Sequence, residues 1–181
     1  MFYTPLIKKA LLISFNAHKD QVDKSGMPYV YHPYHVAEQM KSEISTCVAL
    51  LHDVVEDTGI TLDDLKTQGF PDEVINALSL LTHKKNIPYM EYIEAIKENP
   101  IATEVKLADL GHNSDYTRIG KLEALTEADR KRLAKYNKAI LLLTAYEDYE
   151  IRKCPLCGKD VKFYFNDKDG TFRIQKHKCK E

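Results

Sequence analysis

The segment most capable of chemistry is Ala49-Leu-Leu-His-Asp-Val-Val-Glu-Asp57, in which an apolar run ends in His52, Asp53, Glu56 and Asp57. On a helix, positions three and four apart share a face. His52 therefore lies over Glu56, and Asp53 over both Glu56 and Asp57. Burying His52 and Asp53 among leucines and valines is costly unless something compensates them. A divalent cation does so, because imidazole nitrogen and carboxylate oxygen are both ligands for transition metals. The competing reading is a satisfied polar pair or a solvated helix face. Two adjacent residues do not complete a site, so partners must come from elsewhere. His32 follows Gly26-Met-Pro-Tyr-Val-Tyr31 at the start of a helix, and Asp109 is a lone acid in VKLADLGHN, with Asn113 one turn on. The candidate set is His32, His52, Asp53 and Asp109, a mixed site suited to Mn²⁺, Fe²⁺ or Zn²⁺ that activates water. Asp109 also has an ordinary reading, as a partner of Lys106 or Arg118. His35 and His112 read as surface or packing histidines, and His18 and His83 as structural ones.

A second constellation lies at the end of the chain. Cys154-Pro-Leu-Cys157-Gly158 is followed by His177-Lys-Cys179, and the β-prone runs VKFYF and TFRIQ lie between them around Asn166-Asp-Lys-Asp-Gly170, a hairpin signal. A Cys-x-x-Cys knuckle offers two thiolates to one tetrahedral ion, and His177 with Cys179 would complete a Cys₃His set, although that second pair is closer spaced than usual. The expectation is a small zinc ribbon, with a redox pair or free thiols as the alternatives. A module of this size has little core of its own, so a metal would be its main stabiliser.

The elements that must position these residues are mostly helices. Thr4-Pro5 starts the first, running Leu6 to His18, and a polar loop follows from Lys19 to Tyr31 around Gly26 and Pro28. A short helix follows Pro33. One continuous helix is expected from Ser42 to Asp57, closed by Thr58-Gly59. Short helices start at Thr61, Pro71 and Pro88, and Pro100 ends the last of these. Ile101 to about Arg118 is helical by pattern. Thr126 caps a long helix running to about Tyr149, with Glu127 and Asp129 in its first turn. Character changes at Lys153, so the expected division is a helical domain over 1–150 and a ribbon over 151–181, giving an all-α fold with a β-hairpin appendix.

The bulk numbers fit this organisation. The 181 residues are 44% hydrophobic and 29% charged, ordinary for a globular protein. No apolar run approaches the roughly 20 residues of a membrane span. MFYTPLIKKALLISF reads as an amphipathic helix and not a signal peptide, which makes the cytoplasm the default. The net charge of −1 conceals an asymmetry: residues 151–181 hold nine Lys/Arg and four Asp/Glu, leaving 17 against 23 for the rest. A mildly acidic body with a basic tail is not a general nucleic-acid binder, although the tail could recruit nucleic acid, close over a phosphate or simply pack on the body. No Walker-type Gly-rich loop and no Gly-x-Ser-x-Gly is present.

GMPYVYHPYHVA, ALLHDVVEDT and VKLADLGHN, in that order, resemble the HD superfamily, specifically the hydrolase domain of RelA/SpoT-type (p)ppGpp enzymes and their small single-domain relatives. The match spans about residues 14 to 145. It implies an all-α fold with one Mn²⁺-type ion in a cleft, held by His32, His52, Asp53 and Asp109. By the same resemblance, Glu56 and Asp57 match the acidic pair that positions or activates the attacking water. Asn113 matches a substrate-contacting Asn, and Lys24 a basic residue near the substrate. The implied activity is hydrolysis of a nucleotide, most directly guanosine 3′,5′-bis(diphosphate). Two departures stand out. Asp23 occupies the position of a base-stacking Arg, and Ser114-Asp115 replaces an apolar-Arg pair. A carboxylate cannot supply cation–π stacking, so base recognition is altered. The alternatives are another nucleotide or phosphate ester as substrate, or a non-catalytic nucleotide sensor whose ribbon binds nucleic acid or protein.

Overall fold

Short polar side chains before an apolar run start several helices of this chain, and a computed structural model shows five such caps among the described residues. It describes residues 3–115, 126–144, 149–153, 157–166 and 171–174. The Thr4 hydroxyl accepts from the Ile7 N–H at 3.1 Å and starts α1 (Pro5–His18). Ser42 and Ser45 form a capping box at the start of α3 (Glu43–Leu51), and Thr61 and Asp64 form one at α5 (Leu62–Thr67). Asn99 accepts from the N–H groups of Ile101 and Ala102 at α8 (Pro100–Ser114). Thr126 caps α9 (Glu127–Thr144), where the Asp129 carboxylate returns a bond to the Thr126 N–H. The remaining helices are α2 (Tyr31–Glu38), α4 (Val54–Asp57), α6 (Asp72–Leu81) and α7 (Tyr89–Lys97).

The chain divides into two units, Met1–Leu143 and Thr144–Glu181. The first is the expected all-helical body. Its axis is α3, whose residues from Ser45 to Leu51 are all buried; it packs against α1, α2, α6 and α8. Leu50, Leu51, Leu78, Ile93, Ile96 and Leu110 are fully buried around it. Each such side chain contributes roughly 1.5–3 kcal/mol. Burial, reinforced by Glu43, pushes the Cys47 thiol up to about 12. That makes it a packing residue and not a nucleophile. No helix among the described residues is long and apolar enough to cross a membrane.

The structure differs from the sequence expectation at the most informative place. The helix expected to run from Ser42 to Asp57 is interrupted at the His52-Asp53 doublet, and α4 resumes at Val54. Asp53 sits at φ −95°, ψ −11°, and the His52 ring takes the Ala49 carbonyl, with Nδ1 2.7 Å away. A side chain that competes for a helix carbonyl loosens the ladder locally. The doublet therefore occupies a turn between two helices and projects from it.

The second unit is an antiparallel sheet in the order β1-β2-β3, formed by Tyr149–Lys153, Asp160–Asn166 and Thr171–Ile174. Tyr149 pairs with Tyr164, and Phe163 with Ile174. The long helix expected to reach about Tyr149 is described as far as Thr144, Tyr149 itself belongs to β1, and the division placed near residue 151 falls inside that strand. Cys157 is half-buried in the connection between β1 and β2, next to Gly158 at φ +67°, a conformation glycine adopts without steric cost. Cys154, His177 and Cys179 lie outside the described residues.

Candidate metal centre and active site

Three stretches of the helical body deliver their polar residues to one point. His32 comes from the first turn of α2, His52 and Asp53 from the break after α3, and Asp109 from the middle of α8. His32, His52 and Asp109 are buried, with one ligand atom from each lying within 4.8 Å of the others. His32 Nε2 is 3.3 Å from His52 Nε2, 3.2 Å from Asp109 Oδ1 and 3.4 Å from Asp53 Oδ2. His52 Nε2 is 3.2 Å from Asp53 Oδ2 and 3.9 Å from Asp109 Oδ1. Ligands bound at about 2.0–2.2 Å to one ion stand roughly 3–3.5 Å apart at octahedral or tetrahedral angles. The four residues fit a single divalent ion on that spacing and on the chemistry of their donors.

The tautomers fit as well. His52 Nδ1 faces the Ala49 carbonyl, which accepts its proton and leaves Nε2 as the lone pair of the neutral ring. Asp109 divides its oxygens: Oδ2 accepts from Lys106 at 2.8 Å, while Oδ1 faces the histidines and accepts from Asn113 Nδ2 at 2.5 Å. The pairing with Lys106 is realised, and it leaves Oδ1 turned to the histidines. Burial opposes the Asp109 charge, but Lys106 and the two imidazoles outweigh it and hold the carboxyl far below the usual range. Burial likewise opposes the charge on Asp53, and His52 outweighs it in the same direction.

His52 responds in the opposite sense. Burial works against its charge, but Asp53 and Asp109 prevail and push it up to about 9 in the metal-free protein. A pKa raised above the unfolded value of 6.5 contributes stability that is complete below pH 6.5 and is lost as pH climbs through about 9. At this burial the linkage is about 3 kcal/mol. The melting temperature of chelated protein is therefore expected to fall between pH 6.5 and 9. Saturating divalent ion takes the same Nε2 lone pair and should abolish or reverse that slope. Melts across this range, with and without chelator, check it; a flat metal-free profile would mean that His52 is neutral throughout.

Glu56 and Asp57 lie on α4, directly after the doublet. The Glu56 carboxylate accepts from the His83 N–H at 3.0 Å. Burial, then Asp53 and Glu56, raise the Asp57 carboxyl above its ordinary value. Lys24 is exposed in the loop before α2. Asn113 is placed against Asp109, where it bonds the oxygen that faces the histidines. Asp23 has a structural use: its Oδ1 accepts from the N–H groups of Ser25 at 2.7 Å and Met27 at 3.0 Å, closing the turn at Gly26. It also lines a cavity of about 470 Å³ together with Tyr31, Tyr34, His35, Glu38 and His112. Arg118 lies outside the described residues.

Other residues join the site without having been singled out for it. The Tyr29 hydroxyl donates to Asp53 Oδ2 at 2.5 Å, and burial together with that carboxylate raises its pKa strongly. His112 is buried; its Nδ1 lies 2.6 Å from His32 Nδ1, and its ring stacks on both His32 and His35. The signal for His112 was its position three residues after Asp109, on the same helix face. Nothing in the sequence marks Tyr29 except its place three residues before His32. His18 is buried against Tyr29 and bonds Gln21 through Nδ1, and the His83 ring faces the Ile87 carbonyl, consistent with structural roles.

No family model matches this chain. It is 32% identical over 148 residues to a GTP pyrophosphokinase of Myxococcus xanthus, an alignment that takes in 72% of this chain and 19% of that one. It is 31% identical over 144 residues to the bifunctional (p)ppGpp synthase/hydrolase SpoT of Escherichia coli K12, covering 71% and 20% respectively. The chain thus spans about a fifth of the length of these curated relatives. Among solved structures it superposes on a metazoan SpoT orthologue, described as hydrolysing ppGpp and playing a role in starvation responses. The TM-score is 0.64, with 25% identity, 80% of this chain and 88% of that one.

Proposed function

The helical body of this chain is an HD-type domain homologous to RelA/SpoT-type (p)ppGpp enzymes, and on that premise we propose that it is a metal-dependent phosphohydrolase that removes the 3′-pyrophosphoryl group of guanosine 3′,5′-bis(diphosphate). The observation that supports this most is the convergence of His32, His52, Asp53 and Asp109 with two further carboxylates one turn away. Some relatives are named for pyrophosphoryl transfer. A His/carboxylate cluster beside spare acids favours hydrolysis instead, since that is the set that activates water.

His32, His52, Asp53 and Asp109 would hold one ion, Mn²⁺ by the resemblance, which when bound supplies Lewis acidity and a more acidic water. Tyr29 and Asn113 fix the two ligand carboxylates in place. Glu56, anchored by the His83 N–H, orients the attacking water, and Asp57, with its raised carboxyl, accepts the proton. The water oxygen bonds to phosphorus, the bond from phosphorus to the ribose 3′ oxygen breaks, and that oxygen is protonated as it leaves. The nucleoside would occupy the cavity beside His112, and Lys24 and Asn113 are assigned to the substrate by the resemblance alone. A cytoplasmic enzyme fits this chemistry. The C-terminal unit we assign as a separate ribbon holding Zn²⁺ through Cys154, Cys157, His177 and Cys179, on the ligand pattern of the sequence.

The direct test is to offer Mn²⁺-loaded protein guanosine 3′,5′-bis(diphosphate), nucleoside triphosphates and nucleoside 3′- and 5′-phosphates. Pyrophosphate release from the first is expected. Turnover of another ester alone would reassign the substrate, and turnover of none would leave a nucleotide-sensing module.

Base selectivity is expected to be weak. With a carboxylate at position 23 the cation–π contribution of about 0.5–2 kcal/mol is missing. Guanine and adenine forms should then differ by no more than about tenfold in kcat/KM. Because Asp23 closes its own turn, Asp23→Asn, which keeps the acceptor, tests the charge more cleanly than Asp23→Arg. A guanine preference above about a hundredfold in wild type, indifferent to Asp23→Asn, would show that another residue reads the base.

A further inference from the structure

Beside Lys106, the partner of Asp109, stands a cation to which no role has been given, Lys135 of α9. Lys106 on α8 bonds Asp109 and lies 5.5 Å from the centroid of the Tyr92 ring. Tyr89 neighbours Tyr92, with ring centroids 5.9 Å apart, and Lys135 of α9 lies over the Tyr89 ring at 4.3 Å. Arg132, one turn earlier on α9, is engaged by Asp129. Burial first, then the charges of Lys106 and Arg132, draw the Lys135 pKa below that of an ordinary lysine.

The cations in this wall are not equivalent. Lys106 and Arg132 each have a carboxylate, whereas Lys135 has none among the described residues. Lys135 is also exposed, so a ligand can reach it. Beneath it the Tyr89 hydroxyl is buried and has no hydrogen-bond partner among the described residues. A cation held near two others without an acid of its own is costly, and so is a buried donor without an acceptor. An oxyanion placed here would relieve both.

We propose that Lys135, backed by Lys106 and Tyr89, seats a second phosphate of the substrate, next to the phosphate that meets the His/Asp cluster. The assignment rests on the phosphohydrolase reading and sharpens it: the site selects a pyrophosphoryl group over a lone phosphate. Lys135 acts in binding and takes no part in proton transfer.

The test is calorimetric titration of the full-length protein, held in saturating Mn²⁺ on both sides, with inorganic pyrophosphate and with orthophosphate. Wild type should bind pyrophosphate at least about tenfold more tightly. Lys135→Gln should weaken pyrophosphate about tenfold while orthophosphate moves less than about twofold, and Lys135→Arg should restore most of the loss. With guanosine 3′,5′-bis(diphosphate), the Gln variant should raise KM and spare kcat. Equal losses for both anions, or no loss for either, would overturn the subsite. If wild type cuts none of the nucleotides yet the Lys135 dependence on pyrophosphate holds, the hydrolase reading falls and the subsite stands.

Discussion

Replacing His52 by Ala is expected to remove the divalent ion of the helical body and all measurable turnover with it. His52 meets Asp53, His32 and Asp109 within 3.9 Å, so every other ligand loses a neighbour when it goes. Loss of an outer-shell partner alone costs about 10–100-fold in metal affinity, and loss of a direct ligand should exceed that. In the metal-free state Asp53 and Asp109 also lose a positive partner while remaining buried, a defect of about 3–5 kcal/mol where nothing else compensates. Lys106 and Tyr29 remain bonded to those carboxylates and should hold the cost to the lower end. Elemental analysis of the folded variant, with helicity confirmed by circular dichroism, should find the Mn²⁺ gone and one Zn²⁺ per chain retained. Retention of the first ion would dismantle the ligand assignment. Absence of zinc from wild type and variant alike would dismantle that of the ribbon.

The double substitution Glu56→Gln, Asp57→Asn should do the reverse, leaving the ion in place and lowering kcat by about 10²–10⁴-fold, the usual worth of general acid–base groups. Asp53 stands within 3.4 Å of both histidine rings, and among the described residues no such contact joins Glu56 or Asp57 to them. Gln at position 56 still offers an oxygen to the His83 N–H that anchors the native side chain. The single variants should divide the effect, with Asp57→Asn the larger, since its carboxyl is the one whose pKa is raised toward the working range. If metal is lost in step with activity, the pair are ligands and the proton has another acceptor.

Much of this site was legible in the sequence because its residues break a pattern. His52, Asp53 and Asp109 are polar intrusions in apolar helices, and an intrusion that survives burial needs a partner. Helix starts at Thr4, Ser42, Thr61 and Thr126 were legible for the same local reason, a short polar side chain before a periodic run. What escaped depends on the third dimension. Tyr29 and Asp53 are 24 positions apart, and His32 and His112 are 80 apart, distances across which periodicity carries no information. The interruption at the doublet was missed because every residue from Ser42 to Asp57 suits a helix. The turn arises from a competition for one carbonyl that only the folded ring geometry decides. Asp23 shows a further limit: by resemblance it stands where a ligand contact belongs, and its observed bonds are to its own loop.

The division of labour within Asp109 also decides which ions the pocket will refuse. One of its oxygens is committed to Lys106 at 2.8 Å, so the carboxylate presents a single oxygen and cannot chelate. Calcium favours about six to eight oxygen donors and often takes a carboxylate edge-on, and it binds imidazole poorly. Presented with two ring nitrogens, Asp53 and a single oxygen of Asp109, it would have to draw much of its shell from solvent. A smaller transition ion is content with that set and keeps positions open. On the proposed ligand set, the same lysine that steadies the acid would also disfavour a common competing cation.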